Sequence, residues 1–155
     1  PLSTRMADYS LKLRQGERVM IAAGHSAIPL VRAFSETCLD RLAVPLTYFM
    51  DEELTRLFLC SLSDMDTEST FNAIEAFMDP LHRMMERVSA VVVIRSKESD
   101  APFAGVKPEA LSAYQQHIGR AFQTFTNQKK WIVLTGRRSI KLKRQVWLIR
   151  IFMIL

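Results

Sequence analysis

His25, the acidic run Asp51-Glu52-Glu53, His82 and His117 are the side chains of this sequence with the most chemistry to offer. Histidine exchanges protons near neutral pH and ligates metals, and clustered carboxylates bind cations or share a proton. Spacing limits each of them. No HExxH pattern sets two histidines one helical turn apart, and Cys38 and Cys60 stand 22 residues apart outside any CxxC, so neither a helix-borne zinc pair, a metal knuckle nor a redox motif is present. Ser26 and Ser139 lack the GxSxG elbow of serine hydrolases. Gly24-His25-Ser26 lacks the glycine spacings that let backbone amides wrap a phosphate. These residues therefore assign no catalytic, cofactor-binding or metal-ligating position. His25 reads as a solvated turn histidine and Asp51-Glu52-Glu53 as charges suited to the positive end of a helix. His82 and His117 read as surface or half-buried helix residues, Cys38 and Cys60 as reduced, partly buried thiols, and Met78, Met84 and Met85 as core filler.

The elements that position these groups follow from periodicity. Leu2, Met6, Tyr9 and Leu13 share one face of a predicted helix over Leu2–Leu13 that Ser3 can cap. Arg18–Ala23 is a continuous β-favouring run closed by Gly24, the pattern of a strand buried on both faces of a parallel sheet. Leu30, Phe34, Cys38 and Leu42 recur every four residues in a crossover helix over Ala27–Leu42, with Pro29 in its first turn. A second strand spans Pro45–Met50, and Asp51 caps a helix over Glu52–Cys60. A long helix over Asp66–Val88 should kink or split at Pro80. A third strand spans Ala90–Arg95, a loop Glu98–Gly105, a helix Pro108–Phe125 and a fourth strand Trp131–Thr135. Strand alternating with helix predicts a doubly wound α/β fold with a mainly parallel sheet of about four strands and helices on both faces.

With 155 residues, 48% of them apolar, the chain holds enough to bury one core and too little for two domains. The first 13 residues carry no secretory signal, and the apolar run Val146–Leu155 is far too short to span a bilayer, so a cytoplasmic location is the expectation. The net charge of +5 is unevenly placed. Residues 1–135 hold 15 Lys and Arg against 16 Asp and Glu, while residues 136–155 hold 6 against none. A basic arm of this kind can contact phosphates through Arg137, Arg138, Lys141, Lys143 and Arg144 while Trp147 stacks on a base, or lie on an anionic membrane through its apolar end.

Several segments, taken in order, resemble a known family. Gln15-Gly16-Glu17-Arg18-Val19, a short strand, Pro29-Leu30-Val31-Arg32-Ala33, a strand ending near Asp51, Phe103 to Leu111 and Lys130-Trp131-Ile132-Val133-Leu134 together resemble the start of the thermophilic-type metallo-aminopeptidases, the aminopeptidase T and aminopeptidase S group. The resemblance spans Leu2 to Thr135. It implies an amino-terminal α/β domain, residues 1–135, of a protein more than twice this length. In such a protein two divalent metal ions, Zn, Co or Mg, sit on Glu, His and Asp side chains of a separate carboxyl-terminal domain, and a metal-bound water attacks the first peptide bond. The resemblance further implies peptide substrates and a homodimer. None of the metal ligands has a counterpart here, so this chain alone is expected to be inactive.

Two departures stand out. The family has Gly-Ala before the second strand where this chain has Leu42-Ala43, which concerns the geometry of that turn. After the fourth strand it continues with a Pro- and Ala/Gln-rich stretch, whereas residues 136–155 are basic and apolar. A one-base change of reading frame near residue 136 accounts for this. Permitted codons of Ser139–Leu155 read one register over yield Asn-Gln-Ala-Gln-Ala-Ala-Gly-Met, and Met153 followed by Ile154 forces an Asp. On that reading the tail is an extension, partly helical or frayed, that never evolved to pack.

Overall fold

The computed structural model describes residues 2–96, 101–136 and 150–152. In chain order the helices are α1 (Leu2–Arg5), α2 (Ile28–Leu39), α3 (Glu52–Ser61), α4 (Thr67–Arg87) and α5 (Pro108–Gln128). The strands are β1 (Arg18–Ala23), β2 (Val44–Phe49), β3 (Ala90–Ser96), β4 (Lys130–Gly136) and β5 (Arg150–Phe152). They form one sheet in the order β2-β1-β3-β4-β5, parallel throughout except for β5. The doubly wound α/β architecture is thus present.

Side-chain alternation along the inner strands builds two cores. Val19, Ile21 and Ala23 of β1, Ala90, Val92 and Ile94 of β3, and Ile132 and Leu134 of β4 face α1 and α2 and pack with Met6, Leu11, Val31 and Phe34. The intervening residues Met20, Ala22, Val91, Val93 and Val133 face the other way, onto Leu59 of α3, Ile74, Met78 and Leu81 of α4 and Phe125 of α5. Both faces of β1 and β3 are therefore dry. Such strands read as unbroken apolar runs, which is why their positions were legible in the sequence.

Four differences from the sequence reading have physical causes. The first helix ends early and widens into a π-helical turn, Met6–Ser10, closed by Leu11 N donating to Met6 O at 2.9 Å. That turn brings Met6, Ala7 and Leu11 into the core and rotates Tyr9 out to 78% exposure, so Tyr9 is not on the apolar face. Pro80 does not split α4, which runs unbroken through it. Pro80 and Ala76 both lie on the exposed side, where water can serve the Ala76 carbonyl that has no amide partner. β2 starts at Val44, one residue before the predicted start, so Pro45 is its second residue rather than its first. Val44 N and Met50 N donate to Glu17 O and Ala23 O, so by alternation the backbone groups of Pro45, Thr47 and Phe49 face away from β1 and the missing proline N–H breaks no ladder bond. Finally, part of the tail does pack: Arg150–Phe152 pairs antiparallel with Val133–Thr135 as a fifth strand.

The turn before β2 shows what the Leu42-Ala43 departure does. Ala43 N donates to Cys38 O at 3.0 Å and Leu42 N to Leu39 O at 2.9 Å, with Leu42 at φ 55°. This is a Schellman closure of α2 whose left-handed position, the usual place of glycine, carries leucine. A bidentate pair braces the same corner. Arg41 Nε and Nη2 donate to the two carboxylate oxygens of Asp8, the second at 2.8 Å, tying the π-helical turn to the end of α2. The hydrogen bond from Arg41 holds the Asp8 carboxyl below its usual range.

Candidate functional site

In open parallel sheets ligands collect beyond the carboxyl ends of the strands, where the order of winding reverses. Here the chain leaves β1 toward β2 on one face and returns to β3 on the other, so the reversal lies between β1 and β3. Gly24 follows β1 in extended conformation and starts a single 3₁₀ turn, His25–Ala27, that packs against β3. His25 is thereby placed at the reversal. Its Nδ1 lies 3.1 Å from Asp51 Oδ2, and its ring stacks on Phe49 at 5.3 Å with 5° between planes.

Asp51 divides its carboxylate between two tasks. Oδ1 accepts from Leu54 N at 2.7 Å, the N-cap of α3, while Oδ2 faces His25. The helix-terminal role expected for the acidic run is present in Asp51, and His25 is more than a solvated turn residue. The parallel register that sets Ala23 beside Phe49 also sets the residues after them side by side. His25 remains 54% exposed, and its Nε2 takes no partner among the described residues. Such a pair can accept and return a proton, but nucleophilic catalysis needs a third group. Cys38 does not supply it: the thiol is buried in the α2 core, and burial pushes it up to about 11, away from the thiolate.

Beside the pair, Glu52 Oε2 is shielded from solvent without a hydrogen-bond partner among the described residues. Burial raises the Tyr48 hydroxyl above its ordinary value. Tyr114 is raised by burial first, then by Tyr48, with Glu52 a smaller contributor. Glu53 instead points out to Arg56 at 3.3 Å.

His82 and His117, separated by 35 residues, meet across α4 and α5, with His82 Nε2 3.1 Å from His117 Nδ1 and the ring planes tilted by 50°. Both are half-buried, as expected, but the contact between them is new. Desolvation is the main cause holding His82 below its ordinary value, followed by the charges of His117 and Arg120. Among the described residues, no three His, Cys, Asp or Glu side chains gather as a metal shell. Arg137, Arg138, Lys141, Lys143, Arg144 and Trp147 lie outside the described residues. No helix among the described residues is long and apolar enough to cross a membrane.

Comparison with known proteins agrees with this architecture. The model of the thermophilic metalloprotease family, M29, matches residues 4–135. The fold is similar to that of wild-type AmpT from Thermus thermophilus, with a TM-score of 0.64 at 20% identity over 87% of this chain and 34% of AmpT. This chain thus spans about a third of the AmpT chain. A LacI-family repressor of Corynebacterium glutamicum aligns over 86% of this chain and 60% of its own at 10% identity, and its TM-score of 0.38 carries no argument. The search of curated protein sequences returns no significant match.

Proposed function

The chain belongs to the thermophilic metalloprotease family M29, and from that premise we propose that it is the amino-terminal α/β domain of a metal-dependent aminopeptidase, whose parent activity releases amino-terminal residues from peptides. The observation that carries this reading is the family match over residues 4–135, which coincides with the parallel sheet and its helices and stops one residue before the end of β4. The coverage of AmpT supports a domain rather than a whole enzyme, since two thirds of that chain has no counterpart here.

The family's metal ions do not fit the described residues. His25 with Asp51 and His82 with His117 each offer two groups, and a catalytic zinc site uses three protein ligands. In this proposal Zn, Co or Mg would be bound by the remainder of a full-length relative, peptides are the substrates of that longer protein, and a homodimer is its working state. Residues 1–135 are the family domain, and residues 136–155 are an extension that replaces the family's continuation after a shift of reading frame near residue 136.

Two experiments test the proposal. Aminoacyl-p-nitroanilide hydrolysis by the purified chain should stay at the buffer rate with added Zn²⁺, Co²⁺ or Mg²⁺, and metal-dependent turnover abolished by chelator would overturn the inactive-domain reading. The coding DNA of residues 136–155 should give a family-like continuation in a shifted frame. Its absence from both alternative frames removes the frameshift.

A further inference from the structure

The amino ends of the strands carry an unassigned feature, an open cleft of about 520 Å³ beneath β1, β3 and β4. Arg18, the first residue of β1, Arg87, the last residue of α4, and Lys129, at the junction of α5 and β4, line it. Gln15 and Ser89 add polar groups to its walls. None of the three cations has a carboxylate partner among the described residues.

The one acid on the wall, Glu17, is already engaged. Lys130 Nζ donates to its Oε1 at 2.6 Å and Arg14 N to its Oε2 at 2.8 Å, and together these contacts hold its carboxyl below the ordinary range against the opposing effect of burial. Lys130 itself does not line the cleft, so among the described residues the three lining cations are not neutralised by a carboxylate of its wall. Cations at helix carboxyl ends offset the helix dipole, which accounts for Arg87 and Lys129 without any ligand. It does not account for Arg18, which begins a strand.

We propose that this cleft is a binding site for a small multivalent oxyanion of the phosphate class, held by Arg18, Arg87 and Lys129. Guanidinium groups match tetrahedral oxyanions with paired N–H donors, and a lysine adds a mobile point charge. Cations from three elements lining one concavity raise the local potential more than the same charges spread over a convex surface. Being open to solvent, the site favours a ligand whose own charge is high, such as pyrophosphate, over a monoanion.

Isothermal titration of the full chain with inorganic pyrophosphate at low ionic strength tests this, with an equal ionic strength of chloride as the control. The expected result is saturable binding that falls at least tenfold in the double variant Arg18→Gln/Arg87→Gln and severalfold in Lys129→Gln. The tail variant Arg137→Gln/Arg138→Gln/Lys141→Gln should stay within twofold of the parent. Inorganic phosphate in a parallel titration should bind more weakly than pyrophosphate at the same site. Absence of binding, equal binding by the cleft variants, or loss of binding in the tail variant alone would each overturn the proposal. Should the double variant not fold, as judged by circular dichroism, Lys129→Gln decides.

Discussion

His82 Nε2 faces His117 Nδ1 at 3.1 Å, so α4 and α5 are joined by a hydrogen bond that survives only while one of the two facing nitrogens lacks a proton. With desolvation holding the folded-state value of His82 down, the unfolded chain binds more protons than the folded one as the pH drops. This contribution to stability is complete above the ordinary histidine range and is lost as pH falls through the lowered folded-state value. Asp79 and Glu86 oppose the shift, and Arg120 adds to it. Urea midpoints should therefore decline between pH 8 and pH 5, and His82→Gln should flatten part of that decline. An unchanged pH slope in the variant would remove the linkage.

Leu42 holds a backbone conformation that costs an L-residue roughly 1–2 kcal/mol, and at 63% exposure it recovers little of this by burial. Leu42→Gly removes the strain but gives the unfolded chain more freedom, so the net gain should be about 0.5–1 kcal/mol. Equilibrium denaturation checks it. A loss of stability would mean that the leucine side chain is packed more firmly than its exposure indicates.

Asp51 and His25 can be separated by substitution. Asp51→Ala removes the N-cap of α3 and should cost about 1 kcal/mol, while His25→Ala leaves the cap intact and should cost clearly less. Equal costs measured by thermal unfolding would mean that the histidine contact, rather than the cap, holds this corner.

Phe34 is fully buried between α2 and the sheet. Phe34→Ala should cost about 3–5 kcal/mol, a large share of the stability of a small domain. Tyr9→Ala, on the face that the π-helical turn rotates to solvent, should stay within about 0.5 kcal/mol. A large effect at Tyr9 in chemical denaturation would restore it to an apolar face.

The parallel framework was legible because its signals are local. Arg18–Ala23 has the boundaries read from its apolar run, and Asp51 caps α3 as expected, accepting from the amide three residues on; Asp66, read as the first residue of the next helix, is its cap in the same way. What sequence periodicity missed depends on contacts between distant segments. The π-helical turn is fixed by what Met6 and Leu11 pack against, and the fifth strand by an available edge on β4. The site divides in the same way. Residue type alone marks each member of the pairs His25 with Asp51 and His82 with His117, but partnership arises only from sheet register and from the packing of two helices. For the first pair a signal did exist, since parallel neighbours joined by a crossover helix bring their post-strand residues together.

Pro45 has a consequence for how copies of this domain can meet. On the free side of β2 only Thr47 and Phe49 offer amide hydrogens, two donors where an unbroken strand would offer three. An incoming chain meets an interrupted margin there, so runaway sheet growth from this side is disfavoured. Association there shifts from backbone, which is unselective, toward side chains, which can be selective about shape and charge.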